Sequence, residues 1–288
     1  MRLGKILAPL ARRFVAGETA SDAIEAARRM NARGIRVILD FLGEDVNSAA
    51  AAAAAADEYL RLLERIARSG VDASVSLKLS QMGLLLSADL CLQNLEPVLK
   101  EAARRGNFVW LDMEGSALTE RTLDLFGRLR ERYNGLGVCL QSYLVRTGGD
   151  LDRLMRRPLT VRLCKGAYQE PPSIAFRSRQ AVDGNYRLLI QKAFDHLEQG
   201  VFPAFATHDR SLIDHVIQSA REKRIGAKEF EFQMLYGIAN RLLERLAREG
   251  FQTRVYIPYG TAWLPYFIRR LRERKENVYF LMRSLWRS

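Results

Sequence analysis

The chain has 288 residues, 48% hydrophobic and 27% charged, the balance of a globular protein with core material for two ordinary domains or one α/β barrel. Its formal net charge of +12 admits nucleic acid, an anionic membrane surface or anionic ligands as partners. No apolar run approaches the roughly 20 residues of a membrane span, and the basic residues, scattered among acidic ones, form no aromatic-interleaved cluster of the RNA-binding kind, so nucleic acid is not expected.

The first segment, MRLGKILAPLARRFVAGETASDA, has its apolar part cut short by Arg12 and Arg13. It reads as an amphipathic helix of mature sequence, not a cleaved signal. Residues 1 to 33 form a helical lead-in, with a catalytic barrel expected over 34 to 288. The first strand is predicted at Arg36–Leu42, followed by an Asn47-Ser48 cap and eight alanines, Ala49–Ala56, that open a helix to about Gly70. Alanine is the best helix former and carries little side-chain information, so this half of the helix is expected to face solvent. Strands are then predicted at Asp72–Ser80, Phe108–Glu114 and Gly135–Tyr143, alternating with helices near 91–105, 119–133 and 150–156. The second half repeats the rhythm, with strands at Leu159–Gly166, Phe202–His208, Phe230–Tyr236 and Gln252–Tyr259. Helices are expected near 183–199, 211–223 and 240–250, and the last opens near Thr261.

Eight strand-plus-helix units with near-continuously apolar strands argue for a (β/α)8 TIM-like barrel. A doubly wound sheet is the runner-up, but no GxGxxG follows a strand; Gly135-Leu136-Gly137 precedes one. Cys91, Cys139 and Cys164 show no CxxC spacing and read as buried free thiols in a reducing compartment. His196, His208 and His215 have no ligand-type spacing, so no metal is expected.

In a barrel, chemistry sits at the C-terminal ends of the strands. The polar residues there are Glu44, Lys78, Asp112 with Glu114, Gln141, Arg162 with Lys165, Thr207-His208-Asp209, Gln233 and Tyr256. Stability alone does not ask for so many charges on one rim. In the last helix Arg269 and Arg270 are adjacent, about 100° apart around the axis, and converge only on something lying against that helical face. A small carboxylate suits two guanidinium forks.

The segments SLKLS, LDME, LQSY, VRLCKGAY, FATH, EFQMLYG and YxPYGxxWxPYxxRRLRER resemble, in order and position, those of the proline dehydrogenase family over residues 36 to 280 or so. The resemblance implies FAD at the barrel mouth and oxidation of L-proline to Δ1-pyrroline-5-carboxylate, with electrons passed to a membrane quinone. It implies that Lys78, Arg269 and Arg270 hold the substrate carboxylate, with Glu273 orienting the arginines or pairing with them as a gate; Glu44 is a second gate partner. Tyr256, Tyr266, Tyr168 and Leu235 would wall the pyrrolidine ring. Arg162 would lie near the flavin N5, and Asp112 would orient Lys78 or an arginine. Around the flavin and its phosphate tail the match places Met113, Gln141, Arg162, Lys165, Gly166, Ala167, Thr207 and His208, the Gly-Ala pair letting backbone approach a planar ring.

Three positions depart from common family residues: Gln169 stands for a tryptophan that could stack on adenine, Asp209 for an asparagine, and Gly115 for an acidic residue. The last two are expected just outside the contact layer. The resemblance also implies a cytoplasmic protein working peripherally at the inner face of the membrane, where positive charge meets anionic headgroups. With 288 residues there is no room for a fused aldehyde dehydrogenase, so a separate pyrroline-5-carboxylate dehydrogenase would take the product. Two other readings stay open. One is the same barrel acting on a related cyclic amine such as hydroxyproline. The other is a basic barrel without catalysis that serves as a binding scaffold.

Overall fold

In the computed structural model, residues 11–273 are described, the side chains only as far as residue 270. Eight parallel strands close into a barrel in sequence order, the first pairing with the last. They are β1 Arg36–Phe41, β2 Ala73–Leu77, β3 Val109–Leu111, β4 Leu136–Gln141, β5 Leu159–Cys164, β6 Val201–Ala206, β7 Glu231–Leu235 and β8 Gln252–Tyr259. The expected strands overrun at the mouth because Lys78, Asp112 and Lys165 continue the apolar runs in sequence but have left the ladder. The helices are α1 Ala20–Asn31, α2 Ala49–Ser69, α3 Ala88–Arg104, α4 Ser116–Leu129, α5 Thr147–Leu154, α6 Arg179–Phe194, α7 Arg210–Glu222, α8 Asn240–Arg248 and α9 Trp263–Glu273.

Most helix starts are set by a single oxygen that caps the first turn. Thr19 and Asp22 form a reciprocal capping box on α1, while Ser48, Ser87 and Ser178 accept from backbone N–H groups of α2, α3 and α6. Ser178 explains why α6 opens before the expected 183. After Phe194 the chain tightens into a separate 3-10 turn, Leu197–Gln199.

The alanine run is not a solvent face. Ala52, Ala55 and Ala56 are buried at helical spacing, whereas Ala49, Ala50, Ala51, Ala53 and Ala54 are exposed. The small side chains let the first turns of α2 lie close to the loop after β2. There Gly83, at φ +96°, has the Ala52 methyl 3.3 Å from where its own Cβ would stand.

The helix order sets up the site. α1 packs against both β8 and β1, filling the outer groove that the helix after β8 would otherwise take. α9 lies instead over the mouth, where Tyr266 and Phe267 pack with Ala11, Phe14, Val15, Leu42 and Ile238. Residues 14 to 17 fasten this corner: the Phe14 ring lies 6.0 Å from Phe267, Ala16 N–H donates to Pro258 O at 2.9 Å, and Gly260 N–H donates to Gly17 O at 3.0 Å.

Inside the barrel, Ile38, Trp110 and Ala204 form an apolar plug with Phe108 and Tyr256. The groups above and below that plug are polar. Arg254 and Arg36 meet buried Glu231 at the lower end, while Asp40, Lys78, Asp112 and Arg162 sit at the upper one. Among the described residues no helix is long and apolar enough to cross a membrane.

Candidate active site

A cavity of about 640 Å³ opens at the C-terminal mouth of the barrel. Every residue assigned to the site from sequence lines it except Glu44, which stands behind the lining against Arg269 and Lys78, and Glu273, whose side chain lies outside the described residues. Lys78, Asp112, Tyr256, Arg269 and Arg270 come together at one end, walled by Tyr168, Tyr266 and Leu235. At the other, Met113, Gln141, Lys165, Gly166, Ala167, Thr207 and His208 line it from the ends of β3 to β6, with Arg162 in the floor.

Lys78 is the hub of the first group. Its Nζ lies 3.3 Å from both Asp40 oxygens, 3.4 Å from Asp112 and 3.7 Å from Glu44, at 6% exposure. Burial works against its charge, but Asp40, Asp112 and Glu44 together hold the ammonium well above the ordinary lysine value. Asp112 has the richest set of partners: Arg162 Nη1 donates at 2.5 Å, Tyr256 Oη at 2.6 Å and Ser76 Oγ at 2.7 Å. Burial raises its proton affinity, yet Lys78, Arg162 and the Tyr256 hydroxyl outweigh burial and keep the carboxyl below its usual range. Asp40 goes the other way, with burial prevailing over the attraction of Lys78 and Asp112 adding like-charge repulsion.

Arg269 is clamped by Glu44 through two hydrogen bonds of 3.0 and 2.7 Å. Its guanidinium carbon stands 5.5 Å from the Tyr168 ring centre, and that of Arg270 stands 5.2 Å from the Tyr266 ring. Both distances fall in the cation–π range. The two adjacent arginines thus share one aromatic corner of the cavity.

Arg162 is held from below. Its Nε donates to Gln233 Oε1 at 2.7 Å, and Gln233 Nε2 in turn donates to buried Glu231 at 2.8 Å, which fixes the direction of the amide. Trp110 lies under the guanidinium, 4.5 Å from ring centre to carbon. Nη2, buried on a side chain that lines the cavity, has no hydrogen-bond partner among the described residues. An N–H in that condition calls for an acceptor that arrives with a ligand.

The remaining residues have particular local ties. Gln141 Nε2 donates to Glu114 O at 2.8 Å, and His208 Nε2 accepts the Leu235 N–H at 2.9 Å, pinning the end of β7. Gly166 has φ +105°, and a Cβ there would stand 2.1 Å from the Tyr143 ring. The flat ring that requires this glycine is therefore one of the protein's own. Asp209, expected just outside the contact layer, lines the cavity and pairs with Lys165 at 2.8 Å and Arg179 at 2.7 Å. It also caps α7. Lys165 is further paired with Asp183.

Sequence reasoning missed several members. Asp40 sits inside the apolar run RVILDF and gives no signal until the barrel closes. Glu231 and Arg179 carry no motif. Cys139 and Cys164 are free thiols as read, but both line the cavity, their sulfurs 3.6 Å apart across β4 and β5.

The family model described as proline dehydrogenase matches residues 23–283. Proline dehydrogenase of Deinococcus radiodurans is 40% identical over 281 residues, covering 96% of this chain and 90% of that protein. Proline dehydrogenase 2 of Bacillus subtilis is 38% identical over 273 residues, covering 95% and 89%. The crystal structure of proline utilization A from Bdellovibrio bacteriovorus superposes with a TM-score of 0.87 at 24% identity over 94% of this chain, a likeness of fold. This chain spans 33% of that longer one. With the family model running from within α1 past α9, and relatives matched along nearly their whole length, the chain belongs to the proline dehydrogenase family.

Proposed function

We propose that the protein oxidises L-proline to Δ1-pyrroline-5-carboxylate, with FAD bound across the barrel mouth and a membrane quinone as the final electron acceptor. The observation that carries this reading is the convergence of Lys78, Arg269 and Arg270 on an aromatic-walled cavity, beside a buried Arg162 N–H without an acceptor among the described residues. Three cations facing one small space suit a compact carboxylate, and the tyrosine and leucine walls suit an apolar ring.

The residues fit a flavin. Arg162 supplies a fixed, charged donor at the cavity floor, and Lys165, Arg179 and Arg210 bring positive charge to the far end. Bound there, FAD would supply a two-electron acceptor for the hydride on the ring carbon beside the proline nitrogen. The protein's own part is positioning. Lys78 and the arginine pair fix the carboxylate, and Tyr256, Tyr168, Tyr266 and Leu235 set the ring plane. Alignment of this kind lowers a barrier by several kcal/mol. Asp112 acts on both sides, since one oxygen holds Arg162 and the other meets Tyr256 and Lys78. The product, a cyclic imine carboxylate, would pass to a separate dehydrogenase.

An absorption spectrum of the purified protein, with and without L-proline under anaerobic conditions, tests this reading. A flavin band that bleaches with proline is the expected result. A flavin band unmoved by proline would overturn the substrate and point to another cyclic amine such as hydroxyproline. Protein that takes up no FAD at all would overturn the catalytic reading in favour of a binding scaffold.

A further inference from the structure

Of the three carboxylates around the Lys78 ammonium, the two nearest, Asp40 and Asp112, are not equivalent. Asp112 reaches the cavity, where two cations and a phenol hold it as an anion. Asp40 lies behind Lys78 on β1, fully buried and away from the cavity lining, with both oxygens 3.3 Å from Nζ. Asp40 helps keep the buried Lys78 charged for binding an anion, and its contact with Nζ on the side away from the cavity also places a proton acceptor one transfer from that nitrogen.

The proposed chemistry asks for such an acceptor. A cyclic secondary amine reaches the site as an ammonium ion. Hydride loss from the neighbouring carbon yields a C=N bond only if nitrogen has a free lone pair, so one N–H proton must leave first. The arginines at the mouth cannot take it, Lys78 can take it only by first giving up a proton of its own, and Asp112 is held ionised below the usual carboxylate range. His208 Nε2 is already engaged by the Leu235 N–H. In an α-amino acid the nitrogen and the carboxylate sit on the same carbon, so a lysine that meets the carboxylate is also within reach of the nitrogen.

We propose, resting on the cyclic-amine reading above, that Asp40 accepts the ammonium proton of the substrate through Lys78. Lys78 first gives an N–H proton to Asp40 Oδ, 3.3 Å away, and the nitrogen lone pair this frees then takes the substrate N–H proton. Two N–H bonds break, one O–H and one N–H bond form, and no electrons are transferred in this step. Lys78 ends as the ammonium it began as, the substrate amine gains its lone pair, and Asp40 becomes a carboxylic acid.

The environment fits that direction. Two carboxylates pushed apart in proton affinity mark acceptor and anchor, and burial pushes Asp40 up while Asp112 is pulled down. The other titratable groups around Asp40 are Lys78, Glu44, Tyr256, Tyr59 and Tyr259, with Arg162 beyond Asp112. Lys78 and the three tyrosines are shifted above their ordinary values and Glu44 below its own. Asp40 is thus the carboxylate of this set whose proton affinity burial raises, and it stands in contact with the Lys78 ammonium.

The test is the pH profile of kcat/KM for L-proline in FAD-loaded wild type, D40N, D40S and D40E from pH 6.5 to 10, alongside binding of cyclopentanecarboxylate. That ligand has the carboxylate and ring without the amine. At pH 7, D40N and D40S are expected to fall about a hundredfold below wild type. The deficit should shrink to about threefold near pH 10, where an aliphatic amine (pKa about 10) arrives increasingly neutral. D40E should keep the wild-type profile, and cyclopentanecarboxylate should bind D40N at least as tightly as wild type. A deficit equal at every pH, no deficit, loss of cyclopentanecarboxylate binding, or misfolding of both neutral variants would overturn the proton route. Wild type that binds cyclopentanecarboxylate but does not oxidise proline would fail at the functional reading instead.

Discussion

Glu44 and Arg269 show how one side-chain pair can hold a binding site ready for an anion. In the structure the Arg269 fork is filled by Glu44, so an incoming carboxylate must compete with one already there. Burial opposes the charge on Glu44, but Arg269 and Lys78 prevail and keep its pKa below the ordinary value. For a depressed carboxylate the interaction is fully present above the ordinary pKa, about 4.3, and is lost only as pH falls through the lower folded value. The competitor is therefore charged throughout the neutral range. E44Q should lower KM for proline about three- to tenfold and leave kcat within about twofold. Its cost to stability should be no more than about 1 kcal/mol, since the pair is partly solvated. Steady-state kinetics together with a thermal melt check this, and an unchanged or higher KM would mean that Glu44 does not compete. At this scale the arginines were legible because the strand and turn through Tyr256, Pro258 and Gly260 set them at a strand end, whereas the basic run by itself reads as a solvated helix. Asp40 was not, because a single aspartate in an apolar strand looks like a strand end until β2 brings Lys78 beside it.

At the scale of elements, two helices depart from what their sequences suggest, both through tertiary packing. The lead-in helix α1 occupies the groove between β8 and β1, and this leaves α9 to cross the mouth with its arginines. Periodicity reveals a helix but not which groove it fills, so this exchange could not be read before the barrel was assembled. The alanine run misled for a related reason. Alanine has the same high helix propensity on either face, and only contact with the loop at Gly83 decides which alanines are inside. The pattern makes a sharp pair of variants. A52D places a carboxylate at a fully buried position and should cost about 3 kcal/mol or more. A53D, one residue on and exposed, should stay within about 0.5 kcal/mol of wild type. Thermal or denaturant unfolding of the two variants separates a half-buried run from a solvent face, and equal small losses would contradict the packing of α2.

For the whole molecule, the barrel class was the most legible property, since eight repeats of one strand-plus-helix unit have few ways to bury their strands. The meaning of the +12 charge was the least legible, because charge totals carry no position. The structure orders part of it. Many surface arginines are paired with glutamates or aspartates of the same or the next helix, as Arg104 is with Glu101 and Arg153 with Glu120. The exposed large apolar residues are more selective. Four of the five among the described residues follow strand ends that open on the mouth, Leu85 and Leu86 in the loop after β2, Val145 in the loop after β4 and Ile174 in the loop after β5, while Leu188 stands on α6. Val145 and Ile174 are tied together by a 2.9 Å backbone bond. A bilayer met by these side chains would lie against the same end of the barrel as the cavity, where the proposed lipid-soluble electron acceptor would arrive. Net positive charge would draw the protein to anionic headgroups, and the leucines would then enter the interface. Vesicles containing about a third phosphatidylserine should therefore co-sediment the protein at low salt and release most of it at about 0.5 M salt, where the screening length falls to a few ångströms. The L85D/L86D pair should weaken that binding while leaving proline-dependent flavin bleaching intact. If wild type ignores anionic vesicles at low salt, the mouth faces water and the acceptor must reach it there.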